Sequence, residues 1–272
     1  MEPLIERYLA DEVKDPTITN ELEVRFNTKK NKITKIDSDN VLKKLKSTGF
    51  VLAKDVPDVM LKVLFNEMRC EIRGVDNVSH YCRKNDLSVI PPEDYTFITK
   101  TYGADTKPYD NDEFNFRVSL QAEKTVGPEQ LSQAMSDWKN TKKGFRYISR
   151  VSLIHPDMPY VRIDMSVVKS STKKQSGRFV DAYTLVESGV LSNPETYEIE
   201  VELLPNVEDV GNNVRNIKAV VKKILSGLQE TNYPISETEH QIALLNYRYL
   251  VEQNKPIKEL TPELKTHANR LT

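Results

Sequence analysis

Hydrophobic and polar residues alternate strictly over Tyr197-Glu198-Ile199-Glu200-Val201-Glu202-Leu203. Side chains on a β-strand point to opposite faces with a period of two. Glu198, Glu200 and Glu202 therefore share one face, and Tyr197, Ile199, Val201 and Leu203 share the other. Three carboxylates in a row repel unless positive charge stands among them; a solvated edge strand is the simplest way to carry them. The same alternation recurs near the start of the chain. Glu21-Leu22-Glu23-Val24-Arg25-Phe26 puts Glu21, Glu23 and Arg25 on one face and Leu22, Val24 and Phe26 on the other. Two such strands, distant in sequence, can meet in a sheet or barrel. Their glutamates then suit a hard divalent cation, which prefers oxygen ligands.

Between them the alternation continues. Glu71 and Arg73 lie opposite Cys70 and Ile72, with Gly74 suggesting a bulge. Lys100 lies opposite Phe97. Phe114 to Glu123 alternates for its whole length, with Arg117, Ser119, Gln121 and Glu123 on its polar face. Arg146, Arg150 and Ser152 share a face with Ile148, and Arg162, Asp164 and Ser166 lie opposite Ile163 and Met165. Helical spacing is expected over residues 4–13, over Val41–Lys46 behind a Ser38 or Asp39 cap, over Asp55–Met68, and over Pro128–Trp138. Residues 181–191 fit helix or strand. After Pro205 the apolar positions Val214, Ile217, Val221, Ile224, Leu225 and Leu228 recur at helical spacing. Ser236 and Glu239 form a capping box, and Thr261-Pro262 opens a last short helix. The pattern predicts an α+β fold: a closed antiparallel β-barrel of about eight strands with flanking helices and a C-terminal helical tail. The expected division is 1–210 for the barrel and 211–272 for a helical extension or linker.

Composition narrows the chemistry. The 272 residues carry a formal net charge of -1, so no global field draws the protein to nucleic acid or membrane, and any anion site is local. Cys70 and Cys82 make no disulfide framework. No apolar run is long enough to span a membrane, and the acidic start lacks a secretory stretch; an intracellular protein is expected. His80, His155, His240 and His267 show no ligand spacing. No Gly-x-x-x-x-Gly-Lys-Ser/Thr loop is present. The basic run Lys169–Arg178 reads as a solvated loop, and Trp138 as packing.

The polar faces together hold Glu21, Glu23, Arg25, Arg73, Lys100, Arg117, Glu123, Arg150, Arg162, Asp164, Glu198, Glu200 and Glu202. Burying so many charges costs several kcal/mol per ion unless they pair or bind something. A ligand with both metal and phosphate, such as a 5'-triphosphate with Mg²⁺ or Mn²⁺, satisfies both signs, with Arg and Lys gripping phosphate oxygens.

In these motifs the chain resembles the triphosphate tunnel metalloenzymes. Glu21-x-Glu23-x-Arg25-Phe26 and Glu198-Ile199-Glu200-Val201-Glu202 are similar to their two metal motifs. Arg117-Val118-Ser119-Leu120-Gln121-Ala122-Glu123 resembles a strand of the metal-dependent RNA 5'-triphosphatases. Arg150-Val151-Ser152 and Arg162-Ile163-Asp164-Met165-Ser166 resemble paired strands of their fungal and viral branch, including the N-terminal domains of large-DNA-virus capping enzymes. The four motifs occur in the family's order over roughly residues 18–205. The resemblance implies hydrolysis of the terminal phosphate of 5'-triphosphate RNA, the first step of mRNA cap formation. It implies Glu21, Glu23 and Glu202 on a divalent cation, with Glu200 on the metal or its waters. Arg25, Arg73, Lys100, Arg117, Arg150 and Arg162 would contact phosphates, and Glu123 would position the attacking water. Asp164 and Ser166 would brace the floor, and Glu198 the neighbouring cations. The family's basic residue two before Arg150 is Ile148 here, with Arg146 or Lys169 as candidate substitutes.

A guanylyltransferase follows this domain in capping enzymes, as a further domain or a partner chain. Its Lys-x-Asp-Gly nucleophile motif is met only by Lys84-Asn85-Asp86-Leu87, which lacks the glycine. The expectation is thus an excised domain or a free-standing enzyme, acting in the cytoplasm (a viral factory), in the nucleus or in a virion. Two other readings stay open: a tunnel hydrolase for free NTP or polyphosphate, and a non-catalytic RNA-binding or assembly module.

Overall fold

In the computed structural model, which describes residues 2–10, 17–27, 31–54, 56–102, 107–174, 179, 181–204 and 210–252, the alternating segments are strands of one antiparallel barrel. In chain order these are β1 (Ile18–Phe26), β2 (Val51–Leu52), β3 (Val59–Phe65), β4 (Met68–Arg73), β5 (Tyr95–Tyr102), β6 (Tyr109–Asn111), β7 (Phe116–Thr125), β8 (Gly144–His155), β9 (Met158–Ser170) and β10 (Thr196–Leu203). The sheet runs β1-β10-β9-β8-β3-β4-β5-β7, and β1 also pairs with β7, which closes it. Eight strands make the wall; β2 and β6 are short additions on β8 and β7.

Among the described residues six helices accompany them: α1 (Glu2–Ala10), α2 (Lys35–Ser47), α3 (Val75–Lys84), α4 (Pro128–Asp137), α5 (Val210–Leu228) and α6 (Glu237–Glu252). Helices α1 to α5 contribute to the outside cover, where the apolar half of each alternation lies. Leu22, Val24, Val118, Ile163, Ile199 and Val201 pack with Val41 and Leu45 of α2 and with Ile217, Val220 and Ile224 of α5. On the other flank Leu61, Val63, Cys70, Ile72, Phe97 and Phe145 pack with Val78 and Tyr81 of α3, Ala134 of α4, and Trp138. The hydrophobic core is thus a jacket around the barrel, and the lumen is left to the polar half. Gly227 lets α5 lie against α2: a Cβ there would sit 2.7 Å from the Val41 backbone.

Several sequence expectations give way. Asp55–Met68 is not a helix. Val59–Phe65 and Met68–Arg73 form a hairpin, and its two-residue turn, Asn66-Glu67, takes φ of 45° and 61°. Positive φ at both turn residues matches the right-handed twist of the flanking strands. Helix α2 begins earlier than read, because Thr34 is its cap and forms the capping box with Asp37. Gly74, with φ of 88°, is no bulge: it ends β4 and leads into α3. Residues 181–191 are turns, tied to the start of β8 through Lys143 and Ala182. Asn85 and Asp86 serve as caps: Asn85 takes φ of 51° and closes α3 on Tyr81, and Asp86 accepts from the Ser88 amide. At α6 the expected capping box is present, with Glu239 Oε2 accepting from the Ser236 amide at 2.7 Å and Ser236 Oγ from the Glu239 amide at 3.2 Å. The Thr261-Pro262 helix, residues 11–13 of the lead-in helix and residues 175–178 of the basic loop lie outside the described residues.

Candidate active site

All eight barrel strands send charged side chains into one cavity of about 280 Å³. The register explains the convergence. Glu23 of β1 lies opposite Glu202 of β10, and Arg25 opposite Glu200. Glu202 and Glu200 in turn face Arg162 and Asp164 of β9. Lys62 of β3 faces Glu71 of β4, and Lys100 of β5 faces Glu123 of β7. Every one of these is an inward position of a period-two strand. The lining holds seven carboxylates (Glu21, Glu23, Glu71, Glu123, Asp164, Glu200, Glu202) and seven cations (Arg25, Lys62, Arg69, Arg73, Lys100, Arg150, Arg162).

They are wired to one another. Lys100 Nζ lies 2.7 Å from Glu21 and 3.1 Å from Glu123, which also takes Arg69 at 2.6 Å. Glu71 gathers Lys62 at 3.1 Å, Arg69 at 2.9 Å and Arg73 at 3.6 Å. Arg25 bridges Glu23 at 3.1 Å and Glu200 at 2.8 Å. Glu23 also accepts from Ser119 at 3.0 Å and Gln121 at 3.2 Å. Arg162 joins Glu202 to Asp164, and Asp164 further accepts from Arg150 at 2.9 Å and Ser152 at 2.6 Å.

The balance of burial and charge differs from group to group. Burial raises Glu71, but Lys62, Arg69 and Arg73 outweigh it and hold its carboxyl at about 2. Burial likewise raises Glu123, while Arg69 and Lys100 keep it below the ordinary range. In Glu202 burial wins over Arg162, and Glu21 and Asp164 add to it, so the carboxyl is pushed up to about 7. Glu21 is also raised, by burial first and then by Glu123 and Glu23, against Lys100. Among the described residues no three acidic, His or Cys side chains converge into a ready cation cage.

No protein-family model matches the chain, and no curated protein matches it by sequence. Solved structures do match its shape. The RNA triphosphatase domain of the trifunctional mimivirus mRNA capping enzyme superposes with a TM-score of 0.53 at 17% identity, over 82% of this chain and 96% of that one. A monoclinic form of the mimivirus capping enzyme triphosphatase gives 0.52 at 16% identity, over 82% and 94%. The barrel is a triphosphate tunnel fold.

The tunnel brings together most of the residues singled out from the sequence. Glu21, Glu23, Arg25, Arg73, Lys100, Glu123, Arg150, Arg162, Asp164, Glu200 and Glu202 all line the cavity. Three others stand off it. Arg117 has inward parity but reaches sideways to Asp110 of β6, at 2.7 and 3.2 Å. Glu198 accepts from Arg146 at 2.7 and 2.8 Å, and Ser166 accepts from Arg150 at 3.2 Å. Of the two candidates for the basic residue missing at Ile148, Arg146 is held by Glu198, and Lys169 donates to the Leu191 carbonyl at 3.0 Å. Ile148 itself faces inward and packs with Met60 and Val168.

Three lining charges escaped the sequence reading. The helical reading of 55–68 hides Lys62, and Arg69 falls between that stretch and the strand read from Cys70. Glu71 was placed on the right face but given no role. The two-residue spacing of Lys62 from Met60, and of Arg69 from Glu71 and Arg73, was the available signal once the Asn66-Glu67 turn is recognised.

Proposed function

We propose that this chain hydrolyses the terminal phosphate of 5'-triphosphate RNA, the first step of mRNA cap formation, with Mg²⁺ or Mn²⁺. The observation that carries the reading is the lumen: interleaved carboxylates and guanidiniums enclosed by eight strands of a triphosphate tunnel. Its likeness in fold to the mimivirus RNA triphosphatase domain supports the substrate class.

Glu21, Glu23 and Glu202 would hold the cation. Their all-oxygen donor set suits a hard divalent ion. The upward shifts of Glu21 and Glu202 mark carboxylates short of positive charge, which is the electrostatic condition for a cation to bind there. When bound, the ion neutralises charge on the phosphate oxygens and orients the reacting group.

The chain's own groups do the rest. Arg69, Arg73, Lys100, Arg150 and Arg162 would grip the non-bridging oxygens, with Arg25 held between Glu23 and Glu200 as a further cation. Phosphoryl transfer through a loose transition state depends on positioning and charge more than on covalent chemistry. Glu123 fits that demand. Arg69 and Lys100 keep it ionised, so it accepts a hydrogen bond from the attacking water and aims its oxygen at the terminal phosphorus. Asp164 holds Arg150 and Arg162 in place. A guanylyltransferase domain or chain would then use the diphosphate end.

A second reading, hydrolysis of free NTP or polyphosphate, draws on the same wall. Among the described residues the uncharged lining is Val56, Pro57 and Met60, so the lumen engages the polyphosphate that both substrates share.

The deciding experiment follows release of the labelled terminal phosphate from triphosphate-ended RNA with Mg²⁺ or Mn²⁺, for the wild type and Glu21→Ala, alongside NTP and tripolyphosphate. Release from RNA that the substitution abolishes is the expected result. Turnover of NTP but not of RNA selects the second reading. RNA binding with no release under either metal identifies a non-catalytic module and overturns both.

A further inference from the structure

We propose that Tyr8 of α1 is a positioning residue for the proposed cation site: its hydroxyl fixes the end of β10 from which Glu202 reaches into the lumen. The inference rests on the triphosphatase reading and adds to it a residue that stands outside the barrel wall.

Glu202 stands next to a strand end. Leu203 is the last residue of β10, and it closes both ladders, opposite Leu22 of β1 and Val161 of β9. The ends of elements open at lower free energy than their centres. Charge pulls the same way here. Glu21 on β1 and Asp164 on β9 crowd the Glu202 carboxylate, and that repulsion presses β10 away from both neighbours at the point where its pairing stops. A cation-holding oxygen placed there needs its backbone fixed by something besides the sheet.

Tyr8 meets this weak point from outside. Helix α1 is seated in the apolar jacket through Ile5 and Tyr8, both buried. From that seat the Tyr8 hydroxyl donates to the Leu203 carbonyl at 2.9 Å. Burial, then the charges of Glu202 and Glu21, push the hydroxyl up to about 12, so it remains a donor at neutral pH. A buried hydroxyl whose acceptor moves away is left unsatisfied at a cost. Opening the end of β10 is therefore resisted by α1 as well as by the ladders. Neither Tyr8 nor Leu203 lines the cavity, so the hydrogen bond acts on Glu202 through the backbone and touches no substrate. The groups proposed to grip phosphate from β4 and β5, Arg69, Arg73 and Lys100, stand on the far side of the barrel from β10. Loss of the bond should therefore be felt by the cation and not by the polyphosphate.

Tyr8→Phe keeps the ring and its packing and removes the hydrogen bond. Mn²⁺ binding to the full chain is followed by the electron paramagnetic resonance signal of free Mn²⁺, with no substrate and no turnover. Tripolyphosphate binding without metal is measured separately by calorimetry. Tyr8→Phe is expected to weaken Mn²⁺ binding about fivefold, the equivalent of one ordinary hydrogen bond, and to leave tripolyphosphate affinity unchanged. In phosphate-release assays the same variant should need more Mn²⁺ for half its maximal rate, with KM for triphosphate-ended RNA unaltered at saturating Mn²⁺. A lower melting temperature with Mn²⁺ affinity intact makes the bond purely structural and overturns the inference. Equal losses of Mn²⁺ and tripolyphosphate affinity mark a general loosening of the barrel and overturn it too. Both results leave the triphosphatase reading standing where the wild type releases phosphate. A wild type that neither binds Mn²⁺ nor releases phosphate overturns that reading, and this inference with it.

Discussion

The two walls of the tunnel are electrostatic opposites. On the β3–β4 side Glu71 sits among Lys62, Arg69 and Arg73, and its carboxyl is held at about 2. On the β1–β10 side Glu21, Glu23, Glu200 and Glu202 crowd together, and Glu202 is pushed up to about 7. Both lie in the same barrel, Glu71 buried and Glu202 half-buried, yet it is the less buried carboxyl that is raised; what differs is the sign of their neighbours. The base-rich wall has more positive charge than its single carboxylate absorbs, which is the condition for holding phosphate. On the acid-rich wall Arg25 and Arg150 outweigh burial at Glu200 and hold it below the ordinary range, while burial and like charge win at Glu21 and Glu202, which is the condition under which the proposed metal would bind. A charge total near zero therefore conceals a dipole across the lumen, which the proposed metal and triphosphate would match.

The comparison can be broken at either wall. Glu71→Gln leaves the buried Lys62 without its anion and removes one of the two held by Arg69, and is expected to lower unfolding stability by about 3 kcal/mol, measured by denaturant titration. Glu202→Gln is expected to leave stability at neutral pH unchanged or improved, because it relieves like-charge crowding, while reducing phosphate release by at least about a hundredfold through loss of a cation-holding oxygen. A variant with near-normal rate would remove the cation assignment from β10.

The pH dependence of stability sharpens the contrast, because the two shifts have opposite signs. Glu71 is depressed, so the unfolded chain binds its proton first; its contribution is present above about 4.5 and is lost as pH falls towards about 2. Glu202 is raised, so the folded chain holds its proton longer; stability falls as pH rises from about 4.5 to about 7. Thermal melts across this range should show both limbs, with Glu71→Gln flattening the acid limb and Glu202→Gln the upper one. The smallest effect is expected at Arg117. It has inward parity but belongs to neither wall, being held by Asp110, so Arg117→Ala is expected to change turnover by less than about fivefold. A larger loss in steady-state assays would move Arg117 back among the phosphate-binding groups.

Legibility of the sequence followed strand purity. β1, β7, β9 and β10 alternate with little ambiguity, and the side chains that build the acid-rich wall were all placed on the correct face from their spacing. The base-rich wall was only half visible. Val59-Met60-Leu61-Lys62-Val63-Leu64-Phe65 is nearly all apolar because both its faces are buried, and a continuous apolar run fits a helix as well as a strand. Met60 packs inside the lumen with Ile148 and Val168, while Leu61 and Val63 pack outside. The exception to the charged lumen therefore erases the period and, with it, Lys62.

Spacing by itself determined which side chains share a face, because the pleat is local geometry and reverses at every residue. It also showed that the polar faces carry charges of both signs, whereas the fold decided that those faces turn into the lumen. Tertiary structure alone decided which charges are partners. Arg69 reaches Glu123 across an intervening strand, Arg25 divides itself between two glutamates, and Arg117 is drawn away by a strand that the sequence did not announce. These choices depend on strand tilt and closure, which set distances between residues far apart in sequence, and Coulomb energies depend on those distances rather than on order along the chain.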